Sequence, residues 1–122
     1  MVLPKILLVD TPGDIRVPNI GLAILATYLE RNGNIVRLIN PHLSNDWGDY
    51  VLKALSQWKP EILGFSIHCT TVTKVLSWLS KNSHHFYSNL AVVFGGPQVQ
   101  GELENFEYAQ SFSVNYKIAP KV

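Results

Sequence analysis

Four short apolar runs, each closed by a turn signal and separated by segments of helical period, leave this chain few folds to choose from. Lys5 to Val9 reads as a continuous strand closed by Asp10, after which Thr11-Pro12-Gly13-Asp14 and Pro18 make a loop. From Gly21 to Asn32 the period turns helical, with Leu22, Leu25, Ala26 and Leu29 on one face and Gly33 where a helix end wants a left-handed residue. Ile35 to Ile39 is the second strand, ended by Asn40-Pro41, and the polar stretch from Pro41 to Gly48 reads as a loop. A second helix is predicted over Asp49 to Trp58, with Val51, Leu55 and Trp58 inward. Lys59-Pro60 stops it, because the residue before proline is pushed out of the helical region.

Ile62 to Ile67 is the third strand. Val72, Val75, Leu76 and Leu79 make the stripe of a third helix, and Asn82 to Ser88 is a polar connection. Leu90 to Phe94 is the fourth strand. Val99, Leu103 and Phe106 fit a short fourth helix, and Phe112 to Tyr116 a fifth strand. The order is βαβαβαβ, with short and fully apolar strands. Strands buried on both faces read this way, and right-handed crossovers then put helices on both sides of a parallel sheet. The expected fold is therefore α/β: a doubly wound, flavodoxin-like (Rossmann-like) parallel sheet of four to five strands, first and third strands adjacent at the switch point. Residues 1–110 form the expected domain, and 111–122 an edge strand or frayed tail.

Bulk properties narrow the function. The 122 residues suffice for one domain and a real core. A net charge of +1, with lysines and arginines scattered, offers no electrostatic footprint for nucleic acid or for an anionic membrane. No stretch approaches the roughly 18 apolar residues of a membrane span, and the start MVLPKILLVD is not a signal peptide. A single cysteine, Cys69, excludes an internal disulfide and any cysteine-only zinc or iron–sulfur site, and fits a reducing, cytoplasmic setting. His68 and Cys69 are no metal pair, since adjacent side chains on a strand point to opposite faces. Asp10 has no second acid beside it in sequence, which argues against magnesium and against a phosphorylated receiver domain. No catalytic constellation and no metal site is identified.

What remains is the way two strands end. EILGFSIHCTT (Glu61 to Thr71) and LAVVFGGP (Leu90 to Pro97) are apolar runs that stop abruptly in small or hydroxyl residues. Ligands of open α/β sheets bind outside the carboxyl ends of the strands. The expected crevice gathers Asp10 to Pro12, Ser66 to Thr71 and Gly95 to Gln98. By position alone, Ser66 reads as a small residue bonding locally to backbone, and Gly95-Gly96-Pro97 reads equally as a tight turn into a helix or as a ligand-facing strand end. Of the tryptophans, Trp47 is placed in a loop, the one most suited to an interface; Trp58 and Trp78 pack beside helices.

In this order, KILLVDTPGD, PNIGLAILATYLERNGNIVRLIN, KPEILGFSIHCTT and VVFGGPQ resemble the N-terminal cobalamin-binding domain of cobalamin-dependent radical SAM enzymes. The counterparts of that pattern are Asp10-Thr11-Pro12, Pro18, Gly21-Leu22, Gly33, the strand from Pro60 to Ser66, and Gly95-Gly96-Pro97-Gln98, over roughly residues 3 to 100. The resemblance implies cobalamin, its nucleotide tail inserted beside the sheet. It implies Ser66 as a hydrogen-bond partner of the tail, and Gly95 and Gly96 as the place where the tail passes close to backbone. Thr70 and Thr71 would open the third helix, and Thr11, Pro12, Ile67, His68, Pro97 and Gln98 would complete the cofactor-binding set.

The chain also departs from its likenesses. The loop from Asp10 to Ile20 has no histidine, so it supplies no lower ligand to cobalt. Gln98 stands where histidine commonly follows Gly-Gly-Pro, and the Cys-x-x-x-Cys-x-x-Cys motif of a radical SAM barrel is absent. Methyl transfer or rearrangement would need a separate domain or partner protein. Two alternatives stand beside this reading: a flavodoxin-like interaction module that has lost the cofactor, and a nucleotide or flavin binder. The second lacks both a Gly-x-Gly-x-x-Gly turn and a Gly-Lys-Ser/Thr phosphate loop.

Overall fold

The computed structural model describes residues 3–11, 20–39, 46–67 and 71–95, and the backbone of 116–118. Its elements run β1 (Lys5–Asp10), α1 (Ile20–Arg31), β2 (Ile35–Ile39), α2 (Trp47–Gln57), β3 (Ile62–Ser66), α3 (Val72–Asn82), β4 (Ala91–Gly95) and β5 (Tyr116–Ile118). A single 3-10 turn, Ser83–His85, follows α3. All strand pairs are parallel, in the order β2-β1-β3-β4-β5. That is the flavodoxin-like order, with the switch point between β1 and β3. No helix among the described residues is long and apolar enough to cross a membrane.

Side chains alternate across the strands and sort the sheet into two unequal faces. Leu7, Val9, Leu63, Phe65, Val92 and Phe94 point to α2 and α3, where Val51, Leu55, Val72, Val75 and Leu79 meet them in the main core. Aromatic rings bind this core together. Trp47, Phe65 and Trp78 contact one another, Phe65 stacks on Phe94 at 6.0 Å, and Phe86 closes on Trp78. On the other face, among the described residues, Ile6 and Leu8 meet Leu22 and Ala26 of α1 as fully buried partners, with Leu29, Val36 and Ile62 at the margin.

The helix ends follow from local chemistry. After α1, the Gly33 N–H donates to Glu30 O and the Asn34 N–H to Leu29 O, a Schellman pair, with Gly33 at φ +91°. A β-carbon there would be strained by backbone and would press on Leu3 Cδ1 at 3.1 Å. Beyond the C-cap of α2 at Trp58, Lys59 takes φ +53° ahead of Pro60. Proline bars Lys59 from the helical region, and the left-handed region lets its N–H reach Ala54 O at 3.1 Å. Lys5 Nζ donates to Trp58 O at this helix end, Arg37 lies over the Trp58 ring at 4.4 Å, and Tyr87 Oη donates to Pro60 O. All of these fastenings lie at the amino-terminal end of the sheet.

The structure moves several expected boundaries. Helix α2 begins at Trp47, two residues before the expected Asp49, and Trp47 is buried at 6% exposure. It is a core residue and not an interface residue of a loop. Gly48 explains the early start: a β-carbon there would lie 2.5 Å from Trp78 Cδ1, so only glycine lets the helix close on that indole. Leu25, expected in the core stripe of α1, is 44% exposed; Leu22 and Ala26 alone are fully buried. Strand β3 ends at Ser66 and β4 runs one residue later than expected, to Gly95. Of the expected fifth strand only Tyr116 is described, and it opens β5. The expected fourth helix through Val99, Leu103 and Phe106 lies outside the described residues.

Candidate functional site

Parallel registration brings three strand ends side by side: Asp10 pairs with Ser66, and Ser66 with Gly95. Since a strand alternates its faces, these three residues share the face on which α1 lies. Two crossing hydrogen bonds fix the ends. Thr11 Oγ1 donates to Ser66 O at 3.2 Å, and the Ile67 N–H donates to Gly95 O at 2.7 Å. Asp10 and Thr11 are buried at the switch point.

Below these ends, β3 and β4 present a narrow floor on the α1 face: Gly64 and Ser66 from one strand, Ala91, Val93 and Gly95 from the other. Gly64 is buried, because a β-carbon there would lie 2.9 Å from Leu8 Cδ2. The other four are half-buried. Helix α1 packs on β2 and β1 and walls this floor on one side. The right-handed β1–α1–β2 connection turns one flank of the helix towards β3, and helical spacing puts Leu25, Tyr28 and Ile24 there. Their exposures are 44%, 63% and 65%. Among the described residues, an apolar helix flank thus stands beside a small-residue floor that ends at hydroxyl and glycine strand ends.

The structure brings together Thr11, Ser66, Ile67 and Gly95 of the expected set. Ile67 points its side chain into the main core, so only its backbone faces the crevice. Thr71 occupies the N-cap position of α3 and is fully buried. Pro12, His68, Thr70, Gly96, Pro97 and Gln98 lie outside the described residues. Sequence reading missed the α1 wall, because the Leu/Ile pattern of that helix reads as core throughout. The signal was the width of its apolar band, since Ile20, Ile24 and Tyr28 extend it well beyond the buried stripe of Leu22 and Ala26.

The model of the B12 binding domain family matches residues 5–114. The chain belongs to the B12-binding domain family. A cobalamin-binding protein from Desulfitobacterium hafniense DCB-2 has a similar structure, with a TM-score of 0.71 at 20% sequence identity. The likeness covers 98% of this chain and 54% of that one, so this B12-binding domain spans about half the length of its structural relative. At that identity the likeness shows a shared fold. No curated protein sequence matches. The radical SAM relationship implied by the sequence narrows to the B12-binding domain itself.

Proposed function

We propose that this domain holds cobalamin with the nucleotide tail lying in the trough between α1 and the β3–β4 floor. The registration of Asp10, Ser66 and Gly95 carries the reading. It sets a serine hydroxyl and a bare glycine at the lip of an apolar slot, where a β-carbon at 95 would stand on the floor. Ser66 would bond the polar edge of the tail, with Thr11 holding the Ser66 carbonyl in place. Leu25 and Tyr28 would cover its apolar faces, and the sequence neighbours Gly96 to Gln98 would extend the lip. A pocket that is apolar with few convergent polar groups suits such a ligand.

Cobalamin supplies a cobalt centre for methyl transfer or rearrangement, and a cofactor of this kind carries the hard chemistry while protein positions it. In this reading the present residues bind and orient, and a radical SAM domain or another partner provides the substrate site. The absence of histidine from residues 10–20 means that this loop gives cobalt no lower imidazole ligand. The rival reading, an interaction module without cofactor, would suit a crevice filled by its own side chains. The half-buried floor and the exposed Leu25 and Tyr28 favour the cofactor instead.

Titration of the purified chain with hydroxocobalamin, followed by corrin absorbance, tests the proposal. Near-stoichiometric uptake is expected, with loss of uptake in Ser66→Leu and Gly95→Val while the far-ultraviolet circular dichroism is unchanged. A flat titration of the parent chain, or full uptake by both variants, would sink it.

A further inference from the structure

The opposite flank of α1 and the outer edge of the sheet make a second surface. Strand β2 is an edge, and its sequence IVRLI carries a single charge. Natural edge strands are usually defended by lysine, proline or an outward charge. Here the one candidate, Arg37, is folded back over its own Trp58. Ile35 and Leu38 stand 55% and 39% exposed on this terminal strand, which among the described residues pairs only with β1. On the β2 side of α1, helical spacing places Ile20, Ala23, Thr27 and Glu30. Ile20 is 70% exposed, and the Thr27 hydroxyl is already satisfied by Ala23 O.

We propose that this edge pairs with a second copy of the same chain. Strand β2 would run antiparallel to its twofold mate, with Ile35 opposite Ile39, Val36 opposite Leu38 and Arg37 at the dyad. The geometry favours a copy over an unrelated strand. Strands in a sheet are about 4.8 Å apart, and α1 sits over β1 and β2, so the two α1 helices would lie ~10 Å apart across the dyad. That is the distance at which helices pack, and the small Ala23 and Thr27 permit it. Charge agrees. The first turn of α1 has no acidic residue, and the antiparallel arrangement brings Glu30 of each copy to that turn of its mate. The like-charged pair at the dyad is relieved because each guanidinium lies over its own indole. The trough on the other flank of α1 is left open, so the inference does not depend on cobalamin.

Sedimentation equilibrium of the 122-residue chain should show a reversible monomer–dimer equilibrium. Ala23→Arg and Ile35→Lys, both at exposed positions, should each raise the dimer dissociation constant roughly tenfold or more, with melting of the monomer and corrin uptake unchanged. Leu25→Arg, on the trough flank, should leave the dimer intact. A chain that stays monomeric across the micromolar range overturns the proposal. So does a dimer that survives both edge substitutions, or one that only Leu25→Arg breaks.

Discussion

The two faces of this sheet are built to different standards. Among the described residues, the face under α2 and α3 buries fourteen apolar residues in one cluster, knit by aromatic contacts. Among the same described residues the face under α1 buries four, and large apolar side chains of the helix stand exposed. Both faces belong to the same five strands, so strand propensity cannot account for the contrast. The difference lies in what each face is completed by: one by its own helices, the other, in the reading above, by a ligand and a second copy. In that reading, stability and recognition are divided between opposite sides of one sheet.

The sharpest way to break this division is to truncate one large residue on each side. Phe94→Ala empties a fully buried ring site on the α2–α3 face and should cost about 3–5 kcal/mol in urea unfolding. Tyr28→Ser on the α1 face should change stability by no more than about 0.5 kcal/mol, yet weaken corrin uptake. Equal losses of stability would erase the contrast. Gly48→Ala probes the tightness of the heavy face. Glycine to alanine inside a helix ordinarily stabilises, but here the added carbon meets the Trp78 indole. A loss of about 1–3 kcal/mol is expected, and a rise in melting temperature would show that the α2–α3 packing is looser than described.

Lys59→Gly should act in the opposite sense. Position 59 is held at φ +53°, which glycine adopts without strain, so a gain of about 0.5–1 kcal/mol is expected with binding unchanged. The smallest effect concerns Tyr87. Burial, and then the neighbouring Glu61 carboxylate, raise its hydroxyl above the ordinary value of 10.0. The neutral phenol is the form the fold favours. Its contribution is complete below pH 10.0 and is lost as pH climbs through the raised folded value. Stability compared between about pH 9 and about pH 11 should fall less in Tyr87→Phe than in the parent chain.

Much of this was legible in the sequence, for identifiable reasons. The strands could be read because each is predominantly apolar and ends in a turn signal; Ile35 to Ile39 is matched residue for residue. The switch point followed from handedness and strand order. Ser66 and Gly95 could be placed because apolar runs that stop in small residues have a structural meaning. Other features needed three dimensions. Trp47 and Gly48 look like loop residues until Trp78, thirty positions away, is seen to require the glycine. Leu25 obeys the same period as Leu22 and Ala26, and periodicity alone cannot tell a residue facing the sheet from one facing a trough beside it. The bond from Thr11 to the Ser66 carbonyl spans fifty-five positions and leaves no local trace.

The bonds from Lys5 to Trp58 and from Tyr87 to Pro60, with the Arg37–Trp58 stack, all sit at the end of the sheet remote from the crevice. Their consequence is mechanical. The register that sets Asp10, Ser66 and Gly95 side by side is thereby anchored from the far end of the strands, away from the lip where the proposed ligand would enter.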